Sequence, residues 1–118
     1  MGGGETAPLS PTSEDVETFT YDGKATAILL ARQVMDKHML PQLLILEPGG
    51  QTHLEQNRVG CEKWLCVLEG VLDVQVGEQR YQLSRYGTLY FKASLSHQLS
   101  NPGKTTAKCI SVTSPVGL

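Results

Sequence analysis

Apolar and polar residues alternate along most of this chain in short runs, with turn-forming residues between them. From Val16 to Tyr21 (VETFTY) the alternation is that of a half-buried strand. Asp22-Gly23 then reads as a turn. Residues 25–32 (ATAILLAR) form a short apolar run whose length and flanking turn predict a strand, and 33–39 reads as a bent connection or strand end. After Pro41, residues 42–46 form another strand, closed by Glu47-Pro48-Gly49-Gly50. Two strands, 63–68 and 71–76, join through Glu69-Gly70, and Gly77-Glu78 turns into a strand over 79–83. Further strands follow at 88–91, 97–100 and 107–113, separated by the turn Arg85-Tyr86-Gly87, a corner at 92–96 and the turn Asn101-Pro102-Gly103-Lys104. Eight or nine short strands without a long helix predict an all-β sandwich, barrel or jelly roll.

Length and charge narrow what such a fold does. The 118 residues suffice for one core and one domain. Residues 1–15, rich in glycine and proline with little to bury, are expected to be a disordered leader, leaving 16–118 as the domain. Ten basic and twelve acidic residues give a net charge of −2 with no basic stripe. That speaks against direct nucleic-acid binding by this chain. No apolar run approaches the roughly 20 residues that cross a bilayer, and no charged-then-apolar segment opens the chain. The expected location is the cytoplasm, away from membranes. Cys61, Cys66 and Cys109 are odd in number and lack metal-ribbon spacing; Cys66 and Cys109 read as buried thiols, Cys61 as a loop residue open to exposure.

The polar loop 51–62 (QTHLEQNRVGCE) is the longest irregular stretch, the kind of segment that carries functional groups on a rigid scaffold. No Ser-His-Asp order, phosphate-binding glycine loop or strand-borne carboxylate pair supports a hydrolase, nucleotide enzyme or glycosidase. His38 has no partner in sequence and reads as a surface residue. Trp64, Tyr81, Tyr86, Tyr90 and Phe91 supply the aromatic stock, and each reads first as core packing or a dimer interface.

The segment YGTLYFKASLSHQLSN resembles the second motif of the cupins, G-x5-P-x-G-x2-H-x3-N. His97 falls on its histidine and Asn101 on its asparagine, while Tyr86, Lys92 and Ser94 stand at the glycine, proline and second glycine positions. PGGQTH and the hairpin WLCVLEGVLDV are similar to parts of the first motif, G-x5-H-x-H-x3–4-E-x6-G. His53 matches its first histidine and Gly70 its final glycine; Glu55 replaces the second histidine, and Lys63 stands on the glutamate position beside Glu62. The resemblance implies a double-sheet jelly-roll barrel and a chain similar to stand-alone cupins and to the cupin sensor domains of helix-turn-helix regulators. A DNA-binding role would then need a separate module.

In cupins, three histidines and a glutamate hold a divalent transition metal inside the barrel, and the resemblance implies two alternatives here. In one, the chain is a small-molecule-binding sensor module with a degenerate metal site. His53, Glu55, Lys63 and His97 are then polar anchors, and Leu65, Val67 and Phe91 are apolar walls for a small polar or anionic ligand. A Lys63–Glu55 ion pair would replace the metal electrostatically. In the other, the chain is a metal-dependent enzyme of dioxygenase or isomerase type, holding iron, manganese, nickel or zinc through His53, His97 and Glu55. Glu62 enters that set if the strand register shifts by one, because Glu62 and Lys63 face opposite sides of a strand. A homodimer is expected in either case.

Overall fold

The computed structural model describes residues 17–21, 23–30 and 38–115. The expected leader over 1–15, Val16, Asp22 and most of the connection over 33–39 lie outside these residues. The described residues form nine strands and no helix. The strands are β1 (Thr18–Tyr21), β2 (Ala25–Leu29), β3 (Leu40–Leu46), β4 (Glu62–Glu69), β5 (Leu72–Val76), β6 (Gln79–Leu83), β7 (Thr88–Lys92), β8 (His97–Ser100) and β9 (Ala107–Ser114). They make two antiparallel sheets, one of six strands in the order β1-β2-β3-β9-β4-β7 and one of three in the order β6-β5-β8. The architecture is a jelly roll. β3 starts before Pro41 rather than after it, and Pro41 pairs in register with Val112 of β9.

Alternation decides which residues enter the core. On β4, Lys63, Leu65 and Val67 are buried while Glu62 and Trp64 face out, the period-two pattern of a pleated strand. On β9 the inward set is Ala107, Cys109, Ser111 and Thr113. Register aligns these into rungs: Leu46 with Ala107, then Leu44, Cys109 and Val67, then Ser111, Leu65 and Leu89, and last Thr113, Lys63 and Phe91. Leu72, Val74 and Val76 of β5, with His97 and Leu99 of β8, close the core from the small sheet. The rungs change character along the barrel, from wholly apolar at Leu46 and Ala107 to charged and hydroxylic at Lys63 and Thr113.

Two turns show why particular residues stand where they do. Gly70 ends β4 at φ +76°, and a Cβ there would meet the Thr106 carbonyl oxygen at 2.8 Å and Ala107 Cα at 3.0 Å. Conformation and space both demand glycine. Tyr86 also has positive φ, 67°, yet carries a side chain; its backbone N–H donates to the Val67 carbonyl at 2.7 Å. The left-handed conformation falls on the glycine position of the second motif rather than on the neighbouring Gly87.

Candidate functional site

The polar end of the barrel is assembled by a loop that behaves as an irregular edge strand. Residues 49–57 run antiparallel to 93–101, tied by Gly49 N–H to Asn101 O at 3.0 Å, Thr52 N–H to Leu99 O at 2.9 Å and Asn57 N–H to Ala93 O at 2.8 Å. Glu55 and His97 exchange both backbone bonds at 2.8 Å. The other bridge joins Gln51 to Ser100, so the loop takes four steps where β8 takes three. That extra residue breaks the alternation of faces. Asn101 holds the far end: its Nδ2 donates to Leu46 O and Thr105 O at 2.8 Å each, and its Oδ1 accepts from Gly103 N–H. The motif asparagine is a turn clamp in this chain.

Three charged or ionisable side chains meet beneath the loop. Lys63 Nζ lies 2.8 Å from Glu55 Oε1 and 2.9 Å from His97 Nε2. His97 Nδ1 sits 2.7 Å from the Leu95 carbonyl, which can only accept, so Nδ1 carries the proton. The ammonium can only donate, so Nε2 accepts from it and the imidazole is neutral. Phe91 packs edge-on against His97 with centroids 5.1 Å apart. His97 is 1% exposed and Lys63 8%. The Glu55 side chain, at 36%, opens the cluster to solvent.

The Glu55 carboxyl is held down to about 2, the neighbouring His97 side chain being the largest cause and the charge and hydrogen bond of Lys63 adding to it, against the burial that pushes it up. The His97 contact is the longer of the two, 3.6 Å from Nε2 to Oε1 against 2.8 Å from Lys63, so the ammonium is the closer structural partner. Tyr21 completes the ring around the carboxylate, its hydroxyl 3.4 Å from Oε2. Burial, then the charge and hydrogen bond of Glu55, push Tyr21 up to about 12. It stays a donor.

The other expected site residues fall in different places. Leu65 and Val67 are fully buried below the cluster, and Phe91 walls it, whereas Trp64 faces outward. Glu62 is exposed on the outer face, opposite Lys92 in register; the pleat turns Lys63 in and Glu62 out. His53 is exposed, its ring edge-on to Tyr21 at 4.8 Å. Cys61 is buried at 2% rather than exposed, with Sγ 3.4 Å from Pro115 O. Residues beyond those expected also meet here. Tyr21 lies far back in sequence, and Thr113 shares the Lys63 rung with a buried Oγ1 that has no hydrogen-bond partner among the described residues. Two hollows lie elsewhere: one of about 300 Å³ beside Cys61, Glu62 and Lys92, and one of about 120 Å³ between Gln75, Arg80 and Gln98.

A divalent cation does not fit this arrangement. The two donor atoms it would need, Glu55 Oε1 and His97 Nε2, are both engaged by the Lys63 ammonium, which would repel a second cation at the same point. Among the described residues no three histidine, cysteine or carboxylate side chains converge on one position.

The profile of the cupin domain family matches residues 42–113, which span the loop, the cluster and Thr113. The chain belongs to the cupin family. Among curated proteins, mannose-1-phosphate guanylyltransferase RfbM of Salmonella typhimurium is 31% identical over 78 residues, 66% of this chain. This cupin spans only 16% of that protein's length. Among solved structures, TT1209 from Thermus thermophilus superposes with a TM-score of 0.71 at 26% identity, covering 80% of this chain and 87% of that one. The cupin domain of an XRE-family transcriptional regulator from Enterobacter cloacae gives a TM-score of 0.72 at 15% identity, covering 77% and 96%. At that identity the second likeness is one of fold.

Proposed function

We propose that residues 16–118 are a single small-molecule-binding cupin unit, serving as a sensor or binding module, whose degenerate metal site holds a small polar or anionic ligand at the polar end of the barrel. One observation carries the reading: the Lys63 ammonium lies between Glu55 Oε1 and His97 Nε2, where it organises both groups as a fixed cation. Glu55, Lys63 and His97 are the polar anchors, Phe91 the wall, and Leu65 and Val67 the apolar floor. A sensing role would be exerted through a separate module. The three free cysteines suit a reducing compartment such as the cytoplasm.

The outer face of the large sheet supports a homodimer. Leu43, Ile110, Val112, Trp64 and Tyr90 lie on it in adjacent strands, with Trp64 39% and Tyr90 60% exposed. Sedimentation at several protein concentrations checks this, and a monomer throughout removes it.

The binding reading is tested by thermal melting of the full chain against small aldoses, ketoses, polyols, hydroxy acids and amino acids, with iron(II), manganese, nickel and zinc as separate additions. A ligand held by the native state raises the melting temperature. The organic compounds are expected to contain stabilisers whose effect is lost in His97→Ala. Stabilisation by a metal alone sinks the sensor reading in favour of the metal-dependent enzyme.

A further inference from the structure

Thr113 is the buried group that the cluster leaves unexplained. It is 2% exposed, sits on the inner face of β9, and its hydroxyl finds no partner among the described residues. An unpartnered hydroxyl in such a place costs stability unless something else satisfies it. Its register partner is Lys63, directly opposite, which brings the two Cβ atoms to roughly 5 Å of each other on one face. An ammonium has three N–H groups. Glu55 and His97 take two of those of Lys63, and the third has no partner among the described residues. Two donors, one N–H and one O–H, therefore share a rung of the barrel with no acceptor assigned to either. Solvent reaches the cluster from the Glu55 side.

We propose that Lys63 and Thr113 together receive one acceptor oxygen of the ligand, and that this oxygen belongs to a neutral carbonyl or hydroxyl group, as in a ketose, aldose or polyol, rather than to a carboxylate. The inference rests on the small-molecule-binding reading and narrows its ligand class. The reason is the charge balance. Lys63 carries one positive charge, Glu55 one negative charge at 2.8 Å from it, and His97 none. Tetrahedral ammonium geometry sets a third acceptor about 4.6 Å from the Glu55 oxygen when both bonds are near 2.9 Å. Coulomb's law then cancels about two-thirds of the attraction that an incoming anion feels toward Lys63. The anion still gives up part of its hydration, and a charged group loses more by this than a neutral one. A neutral oxygen has little charge to desolvate and gains the same two hydrogen bonds. Glu55 thus acts as the specificity-determining residue against anions, and Thr113 as the second donor.

Matched pairs of probes test this by titration with 15N- and 13C-detected NMR: dihydroxyacetone against glycolate, glyceraldehyde against glycerate, and glucose against gluconate. The neutral member of at least one pair is expected to shift the Thr113 and Lys63 signals and to bind about tenfold tighter than its carboxylate, the ratio that one lost hydrogen bond or its equivalent provides. Thr113→Val, close in shape, is expected to weaken that binding about tenfold while Thr113→Ser retains it. Glu55→Gln is expected to reverse the order within the pair, because Lys63 then lacks its counter-ion. Equal or tighter binding of the carboxylate to the unmodified protein overturns the inference and leaves the binding reading standing. So does unchanged affinity in Thr113→Val. If no member of any pair binds while another compound of the wider panel does, the inference alone fails; if nothing in that panel binds, both fail together. The dispersion of the amide spectrum shows that each variant is folded before its affinity is compared.

Discussion

The two ends of the barrel interior are built by the same strands and differ in what those strands turn inward. At one end Ala25, Leu46, Ala107, Val67 and Cys109 are essentially inaccessible, and all but Ala107 belong to the apolar core cluster. At the other end, two to three rungs along the same β4 and β9, the inward residues are Lys63, Ser111 and Thr113. Burying the apolar rungs contributes roughly 25 cal/mol per Å² of area removed from water, without need of partners. Burying Lys63 and His97 costs free energy unless each polar atom is matched, and the Lys63 contacts provide most of that matching. Apolar packing and the buried polar cluster are thus separated along the strand direction, not between sheets.

The strongest test of this contrast lies at the apolar end. Leu46→Ala is expected to lower stability by about 2–5 kcal/mol in chemical denaturation, since Leu46 is fully buried and leaves a void. Gly70→Ala, which must place a Cβ 2.8 Å from a carbonyl oxygen at positive φ, is expected to cost about 2–3 kcal/mol. A loss below about 1 kcal/mol for either would mean that this end is slack.

Breaking the charged end should do less. Lys63→Met leaves Glu55 without its ammonium; a fully buried pair broken this way costs about 3–5 kcal/mol, and the exposure of Glu55 brings the expectation to about 1–3 kcal/mol. Lys63→Met with Glu55→Gln should recover part of the loss, and the double-mutant cycle measures the coupling. A strictly additive cycle would show that the two side chains do not depend on each other.

Acid sharpens the comparison further. The Glu55 carboxyl titrates near 2 in the fold against an ordinary 4.5. Its stabilisation is therefore complete above about 4.5 and disappears as pH falls toward 2, because the unfolded chain takes up the proton first. After allowance for solvent screening, the amount is about 1–2 kcal/mol. Urea melts across that window should show the loss in the native protein and a shallower slope in Glu55→Gln. An identical slope would assign the acid sensitivity to other carboxylates. The smallest effect is expected at the left-handed turn, where Tyr86→Gly relieves a φ of 67° and should raise stability by about 0.5–1 kcal/mol. Arg85 stacks over the Tyr86 ring at 4.9 Å, a contact that the same change removes, so the gain is bounded from above.

Much of the fold was legible because its signal is local. Every strand from 42 onward carries its own alternation or apolar run, and turns such as Asn101-Pro102-Gly103 mark the boundaries. The site was legible in part. His97, Glu55 and Lys63 meet as their motif positions imply, but sequence counting left Glu62 and Lys63 open, since only the pairing of β4 with β7 and β9 decides which faces in. His53 keeps the motif spacing and lies exposed, edge-on to the Tyr21 ring, a neighbour that its own stretch of sequence does not announce. Thr113 had a faint signal: on β9 the inward alternation runs Ala107, Cys109, Ser111, Thr113, turning hydroxylic toward one end. Its meaning depends on a register that the chain alone does not state. Tyr21 reaches Glu55 from 34 positions away, a distance over which no periodicity reports.

The Lys63 bridge has a consequence for supply. A metal ion that joins two side chains is borrowed from solution, so its occupancy follows the free concentration outside and a chelator can remove it. The cation that joins Glu55 to His97 is delivered by the backbone of β4, at an effective concentration that neither dilution nor competition changes. The contact between these two side chains therefore needs no ion from solution.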